Sequence, residues 1–467
     1  MTTGDSLRSV LTLQLVFMLG FSAVVPFVAA IGQHRFALDA SAVGILVGAR
    51  VLAQQGLFIV GGLLTDRFGP RALLLAGCLL RALAFGVIAW APHAPAFVVG
   101  VVLVGLAGAL FSPAVDALVG RIDARRRRAA DHGIRRGPTP FAALLMVSEL
   151  GGVIAALGAA RVMPEHSSAV AAFSAVIFLG AAAAVLRLSS AAVETQPGPR
   201  SRDSGAPGTS ARASARAPEG TSGPQLGVRV LPLAIACSAL LAVYAQLFST
   251  VPLALADHGL PPGHMGAVAA SLSAATLVLQ WPLSRAAERI GRGTAVMLAL
   301  GLSAAACLCA FAGQLLLPSG ALTGLLCGVA VLVGASLMLG NPSAQSLIAE
   351  GSGRRRATRL ALVPTAGGVA AFLSTTVTGV VSGSANTSAA WPVAAVLPAV
   401  MMPLAWYALG LGSRHHRRHR HPAQFSPSGP PAPPAPSLAA SAGAPNPHSP
   451  NAHPSTTHPS TTKEHTQ

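Results

Sequence analysis

The sequence predicts an all-α membrane protein with twelve transmembrane helices in two pseudo-symmetric bundles of six. Of its 467 residues, 52% are hydrophobic and only 10% are charged, whereas a soluble protein is about 25% charged. The apolar residues fall into runs long enough to cross the roughly 30 Å hydrocarbon core of a bilayer. In addition, short motifs of the first half recur in the same order in the second half. Together these features predict a duplicated, multi-pass membrane protein.

Twelve apolar runs are long enough to span a membrane. In the first half they are Leu11–Ile31, Ala42–Leu64, Ala72–Trp90, Phe97–Val119, Phe141–Arg161 and Ala169–Leu188. In the second half they are Val230–Leu253, Met265–Leu283, Thr294–Leu316, Leu322–Ile348, Leu360–Val381 and Trp391–Leu411. We therefore predict one six-helix bundle over residues 1–188 and another over residues 229–412.

Two polar segments lie outside the predicted bundles. Residues 189–228 are rich in Ser, Ala, Pro, Gly and Arg, a composition that predicts a disordered linker. Residues 413–467 predict a disordered tail that is basic, Pro-rich and His-rich. Its His-rich start at residues 414–421 suits either metal binding or anchoring to anionic lipid.

The arginines indicate the orientation in the membrane. One set of alternate loops carries Arg67 with Arg71, the run Arg125–Arg128, Arg285 to Arg292, and Arg354 to Arg359, whereas the opposite set carries little positive charge. By the positive-inside rule, the first set and both termini are cytoplasmic. The formal charge of +17 then reflects topology, and we expect no nucleic-acid partner.

The loop after the second run carries the most specific motif. Gly62, Asp66, Arg67, Gly69 and Arg71 fill the positions of Gly-x-x-x-Asp-Arg/Lys-x-Gly-x-Arg/Lys. This loop resembles the signature loop of the major facilitator superfamily, which carries it after the second helix. The resemblance implies a transporter that works by alternating access, with Asp66, Arg67 and Arg71 as a conformational latch.

Three motifs recur between the halves, and duplicated six-helix repeats are a transporter architecture. The paired segments are 66–69 with 288–291, 110–114 with 339–343, and 151–156 with 367–372. The first pair makes Glu288 and Arg289 a weaker counterpart of the latch. Asp116 or Asp123, at the end of the fourth run, are expected to complete the latch network.

Further motifs resemble bacterial drug:proton antiporters of the MdtH type. These are Leu19-Gly20 followed by Pro26, the segment 48–69 containing Arg50, Leu80-Arg81-Ala82 and residues 110–113. The resemblance implies proton-coupled export of small amphipathic molecules across a bacterial cytoplasmic membrane, by a monomer without a cofactor or metal. The fifth run lacks the proline of the antiporter signature and the fourth lacks an early arginine. An importer or facilitator of a small metabolite, or a non-transporting receptor or scaffold, therefore remains an alternative.

Glu149 lies near the middle of the fifth run, where a carboxylate must face a cavity, pair with a cation or be protonated. Arg50 and Arg81 lie at comparable depth and also need partners. The resemblance places the second and fifth helices beside the central cavity, so that Arg50 is the expected partner of Glu149 and Arg81 fixes helices within the first bundle. Glu149 is either the proton-coupling group or one member of a structural ion pair.

The remaining polar candidates fall on helices that the resemblance assigns to the cavity: Gln14, Tyr244, Gln246, Asn341 and Gln345. With Phe17, Phe21, Phe111 and Phe248 they predict an apolar site with scattered polar groups, although each can equally form a helix–helix hydrogen bond. No nucleophile–base set, phosphate loop or metal cluster is evident, so we do not expect an enzyme.

Overall fold

The computed structural model describes residues 3–129, 140–163, 165–187, 229–350 and 356–410. The predicted linker (189–228), the predicted tail (413–467) and most of the basic loop at 125–136 lie outside these ranges. Every regular element in the described ranges is helical.

The described residues of the first half form eight α-helices. They are α1 (Thr3–Ser22), α2 (Val28–Phe36), α3 (Ala40–Val51), α4 (Phe58–Phe68), α5 (Pro70–Trp90), α6 (Ala94–Ala129), α7 (Pro140–Ala160) and α8 (Ser167–Arg187). A short 3₁₀ turn, Val25–Phe27, joins α1 to α2 at Pro26, and a π-helical turn, Leu52–Gly56, joins α3 to α4. The first span therefore comprises α1 and α2, and the second comprises α3 and α4.

In the part of the second half that the structure describes there are six long helices. They are α9 (Val230–Asp257), α10 (His264–Ile290), α11 (Arg292–Leu316), α12 (Ser319–Glu350), α13 (Arg356–Ser384) and α14 (Thr387–Ala408). Eleven helical spans of the described chain are long and apolar enough to cross a membrane, and the bent pair α3–α4 makes a twelfth. The predicted all-α membrane fold is confirmed.

The helices pack in the same pattern in both halves. In the first half α5 packs on α6 and α8, α1 on α7 and α8, and α4 on α6. In the second half the equivalent pairs are α11 with α12 and α14, α9 with α13 and α14, and α10 with α12. Each half is thus a six-span bundle, and the two bundles repeat one another.

The bundles meet along two equivalent helix pairs, α3 with α13 and α7 with α10. Glycines allow these close contacts: a Cβ on Gly44 would strike the Thr375 carbonyl and lie 3.0 Å from the Gly379 Cα atom. On the other side, a Cβ on Gly266 would lie 2.6 Å from the Ala156 carbonyl. These contacts lie at the end of the bundle opposite the Asp66–Arg71 loop. We call the end that carries this loop the loop end, and the other the closed end.

Two glycines form the equivalent tight turns of the two halves. Gly69, between α4 and α5, has φ +83°, and Gly291, between α10 and α11, has φ +89°. Residues with a Cβ atom disfavour this region of φ, whereas glycine adopts it readily. Glycine at these positions therefore allows one helix to end and the next to begin without a longer loop. Pro70 then occupies the first position of α5, where its fixed φ fits and no backbone donor is lost.

Large apolar side chains cover much of the outer surface. Leu63, Phe173, Trp281 and Leu316 are 60% exposed or more. In water such a surface would favour aggregation, but lipid tails are as apolar as these side chains. The surface is therefore suited to a bilayer.

Candidate functional site

A cavity of about 230 Å³, here called the central cavity, lies between the bundles at mid-depth. Its charged and polar lining includes Arg50 and Gln54 from the second span, Glu149 from α7, Tyr244 from α9, and Ser273 and Thr276 from α10. Phe21 and Phe248 supply aromatic faces, and the Tyr244 and Phe248 rings meet edge to face with centroids 5.2 Å apart. Both bundles thus contribute to one pocket.

Glu149 and Arg50 both face the central cavity but do not form the expected ion pair. Arg50 is 6% exposed and donates from Nη1 to Gln54 Oε1 at 3.2 Å. Glu149 interacts instead with the hydroxyls of Ser273 and Thr276 on the other bundle. Each charged group therefore has a neutral polar partner, and both side chains line the same cavity.

Close packing beside Glu149 depends on Gly151 and Gly152. A Cβ on Gly151 would lie 2.9 Å from Met18 Cβ of α1, and one on Gly152 would lie 2.8 Å from Ser273 Oγ of α10. The small residues at these two positions let α7 contact α1 and α10 together. Gly151 and Gly152 thus allow the helix that carries Glu149 to pack closely on the second bundle, although this helix lacks the proline of the antiporter signature.

A second cavity of about 410 Å³, the loop-end cavity, lies between the central cavity and the loop end. Asn341, Gln345 and Asp116 line it, together with Phe58 and Pro364. Gln55 and Leu241 line both cavities and separate them. Asn341 and Gln345 thus lie in a cavity, but not in the one that holds Glu149.

Asp116 was expected near the end of its span, and α6 proves longer than the predicted run. Both Asp116 and Asp123 lie within the α6 helix. Asp116 faces the loop-end cavity, whereas Asp123 is buried. Like Glu149, both aspartates therefore lie on a membrane-spanning helix.

Gln14 and Gln246 lie outside both cavities and connect helices within a bundle. Gln14 Nε2 donates to Ser148 Oγ of α7 at 2.8 Å. Gln246 Nε2 donates to Ser374 Oγ at 2.9 Å, and Gln246 Oε1 accepts from Thr250, Ser249 and Thr378. Of the two roles open to these glutamines, the structure assigns the helix–helix hydrogen bond.

Gln246→Leu is expected to lower stability without altering substrate affinity. Hydrogen bonds between membrane helices contribute about 0.6 kcal/mol each, so losing the cluster should lower the thermal-unfolding midpoint of the purified protein by a few degrees. The matched control is Gln280→Leu, at a half-buried position on α10. A raised KM with an unchanged midpoint would instead show that Gln246 contacts substrate.

Arg81 occupies an aromatic cage inside the first bundle. Its guanidinium carbon lies 4.9 Å from the centroid of the Phe21 ring, 5.1 Å from that of Phe111 and 5.3 Å from that of Phe178. Phe17 packs edge to face on Phe111, with centroids 4.3 Å apart. Arg81 thus joins three spans of one bundle through cation–π contacts. Phe17 and Phe111 belong to this core and do not line either cavity.

The latch residues lie at the surface of the loop end. Asp66 and Arg67 are exposed, and Asp66 makes no hydrogen bond or ion pair with a residue that the structure describes. Arg71 donates to the Leu186 carbonyl at 2.7 Å, and the Arg67 guanidinium lies 5.3 Å from the centroid of the Phe68 ring. Glu288 and Arg289 are also exposed.

The signature glycine has a neighbour with a larger packing role. Nothing lies within 4 Å of a Cβ placed on Gly62, whereas one on Gly61 would strike the Ala109 carbonyl of α6. Thr65 Oγ1 also donates to the Gly61 carbonyl at 2.8 Å. Gly61 is therefore the position at which α4 requires glycine for close packing.

Gln54 and Gln55 are functional candidates that sequence reasoning did not place in the cavity. They lie in the π-helical turn, where the wider helix presents adjacent side chains to the two cavities. The available signal was an adjacent pair of amides followed by glycine inside an apolar run. That signal does not reveal the turn type.

Comparison with known proteins agrees with this architecture. A model of the Major Facilitator Superfamily matches residues 10–263 and 233–444. The crystal structures of the nucleoside transporter NupG and the POT family transporter PepTSo superpose with TM-scores of 0.63 and 0.66. They cover 87% and 89% of this chain and 99% of their own chains, at 13% and 12% identity. Identities this low show the fold alone.

Curated bacterial relatives match more closely over a shorter stretch. An uncharacterised transporter of the superfamily from Mycobacterium tuberculosis (strain ATCC 25618 / H37Rv) is 36% identical over 148 residues, 30% of this chain and 35% of that protein. The multidrug resistance protein MdtH of Aeromonas hydrophila is 36% identical over 143 residues, 31% of this chain and 34% of that protein. The chain thus matches about a third of the length of these relatives. Because the family model matches both halves, the chain belongs to the major facilitator superfamily of transporters.

Proposed function

We propose that this transporter exports small amphipathic molecules from the cytoplasm in exchange for protons. The observation that carries the proposal is the central cavity, which lies between two repeated bundles and contains a carboxylate, Glu149, at mid-depth. The resemblance to MdtH-type relatives, named for multidrug resistance, supports the direction of transport and the substrate class. By the arginine distribution, the loop end and both termini face the cytoplasm.

The closed end and the loop-end cavity support alternating access. The bundles touch through Gly44, Gly266 and Gly379 at the closed end, while the loop-end cavity separates them on the other side. Rocking one bundle on the other would open the closed end and bring the loop ends together. The described conformation is the one that would accept substrate from the cytoplasm.

The test is accumulation of a fluorescent amphipathic cation, such as ethidium, in cells with and without the protein. We expect lower accumulation with the protein, and loss of the difference after an uncoupler collapses the proton gradient. Equal accumulation with and without the protein would contradict export of such molecules. Accumulation that rises with the protein would favour the importer or facilitator.

Asp66→Asn is expected to slow turnover on the order of tenfold, as the loss of one charge-assisted interaction would. Asp66 lies in the last turn of α4, which packs beside α13, and the N-terminus of α13 lies at the loop end. A carboxylate is stabilised near a helix N-terminus, so the latch would hold the loop end closed. Because Asp66 is exposed here, membrane insertion and stability should not change. The rate of transport by vesicles that contain the variant measures the slower turnover.

Glu288→Gln is the matched control, since Glu288 occupies the equivalent position of the second half. It should slow transport less than Asp66→Asn. Normal rates in the Asp66 variant, at equal protein levels, would rule out the latch.

A further inference from the structure

The central cavity contains a positive and a negative group that leave one another unpaired. Arg50 and Glu149 line the same pocket, yet the one bonds to Gln54 and the other to Ser273 and Thr276. Burying a charge without an opposite charge is costly. A ligand that carries both missing charges would remove both costs at once.

Arg50 has hydrogen-bonding capacity that the protein leaves unused. A guanidinium has five N–H donors in a planar fork. At 6% exposure, Arg50 makes a single side-chain hydrogen bond among the described residues, to Gln54. The fork matches the two oxygens of a carboxylate. The Arg50 side of the cavity is therefore suited to an anionic group of a ligand.

Glu149 offers the opposite subsite. Its carboxylate lies with the Ser273 and Thr276 hydroxyls, so acceptors from both bundles converge there. Ammonium groups need several such acceptors because they carry three donors. Tyr244 lines the same pocket as Arg50 and Glu149. The two subsites thus lie with Tyr244 in one small pocket.

The rest of the lining limits the size and shape of the ligand. Phe21, Tyr244 and Phe248 present aromatic faces to the pocket. A volume of about 230 Å³ is below the roughly 300–1,000 Å³ of drug-sized sites. One aromatic ring system with a short charged chain fits this description.

We propose that the central cavity binds small aromatic zwitterions, with the ligand carboxylate at Arg50 and Gln54 and the ligand ammonium at Glu149, Ser273 and Thr276. This assignment rests on the proposed transport function and names its substrate class. Binding can be measured without transport, so that the two proposals can fail separately.

The experiment is calorimetric titration of the purified full-length protein with four indoles. L-tryptophan carries both charges, its methyl ester keeps only the ammonium, N-acetyltryptophan keeps only the carboxylate, and indole-3-propanol has neither. We expect tryptophan to bind about tenfold or more tightly than either singly charged analogue, and indole-3-propanol to bind most weakly, because each lost charge leaves one subsite unpaired.

Two variants assign the subsites. In Glu149→Gln, tryptophan and N-acetyltryptophan should bind equally while the ester still binds more weakly than tryptophan. In Arg50→Gln, tryptophan and the ester should bind equally instead. Misfolding would weaken all four ligands together and could not produce this exchange of preferences. The exposed residues Glu165 and Arg161 provide matched controls as Glu165→Gln and Arg161→Gln.

Three results would overturn the assignment. The first is binding of N-acetyltryptophan or the ester as tight as that of tryptophan in the unmodified protein. The second is a variant that keeps the thermal-unfolding midpoint of the unmodified protein and yet weakens all ligands equally, and the third is no binding of any indole. If the protein exports ethidium but gives one of these results, the proposed export function stands and only the assignment of zwitterionic substrates is refuted.

Discussion

Replacing Glu149 with Gln is expected to abolish proton-driven transport while leaving a folded protein in the membrane. Glutamine keeps the size of glutamate and can still bond to Ser273 and Thr276, which contact the carboxylate across the bundle interface. It cannot bind and release a proton. If Glu149 is the coupling group, the imposed gradient no longer drives movement of substrate.

The measurement is transport by vesicles at saturating substrate, with and without an imposed pH gradient. We expect at least about a tenfold loss of gradient-driven rate, as for removal of a group engaged in proton transfer. Exchange of labelled for unlabelled substrate, which needs no gradient, should persist. Glu165→Gln serves as the control, since Glu165 is exposed outside the helices. Full gradient-driven transport in Glu149→Gln would exclude Glu149 as the coupling group.

Gly44→Leu is expected to cause the second large loss of transport, because a leucine side chain would prevent the bundles from meeting at the closed end. Its side chain would have to occupy the position of the Thr375 carbonyl and the Gly379 backbone. Forcing bulk into such a contact costs about 1–3 kcal/mol, which corresponds to a shift of roughly fivefold to a hundredfold between conformations. Transport should fall accordingly, because one of the two alternating states is lost.

Cysteine labelling measures the shift between conformations directly. Ser41 packs against Gly383 at the closed end, so a cysteine placed there should react faster with a membrane-impermeant reagent when Gly44→Leu is also present. The background carries Cys309→Ala, because native Cys309 is exposed. Gly180→Leu is the control, since nothing lies within 4 Å of a Cβ at Gly180. Unchanged labelling and transport would show that the closed end tolerates the added bulk.

The fold could be predicted because its causes are local. Long apolar runs fix the spans, and the Asp66–Gly69 and Glu288–Gly291 motifs mark equivalent turns, both of which place glycine at positive φ. The 3₁₀ turn at Pro26 and the π-helical turn at Leu52–Gly56 could not be predicted. A membrane-spanning apolar run has the same pattern whether its helix is continuous or interrupted.

The site could be predicted only in part, because lining a cavity depends on which face of a helix a residue occupies. Glu149, Arg50 and Tyr244 were assigned to the cavity by depth and helix number, and all three line the central cavity. Gln246 lies two residues from Tyr244 on the same helix and therefore faces α13 instead. No property of the glutamine itself distinguishes these two positions.

The π-helical turn also constrains how the sequence can change. A π turn is equivalent to one residue inserted into an α-helix, so that everything beyond it is rotated by about 100° relative to a straight helix. Deleting a single residue between Leu52 and Gly56 would therefore turn Asp66 and the whole end of α4 away from their present direction. The length of this stretch, and not only its composition, sets the angle about the helix axis between the side chains that line the central cavity and those of the loop end.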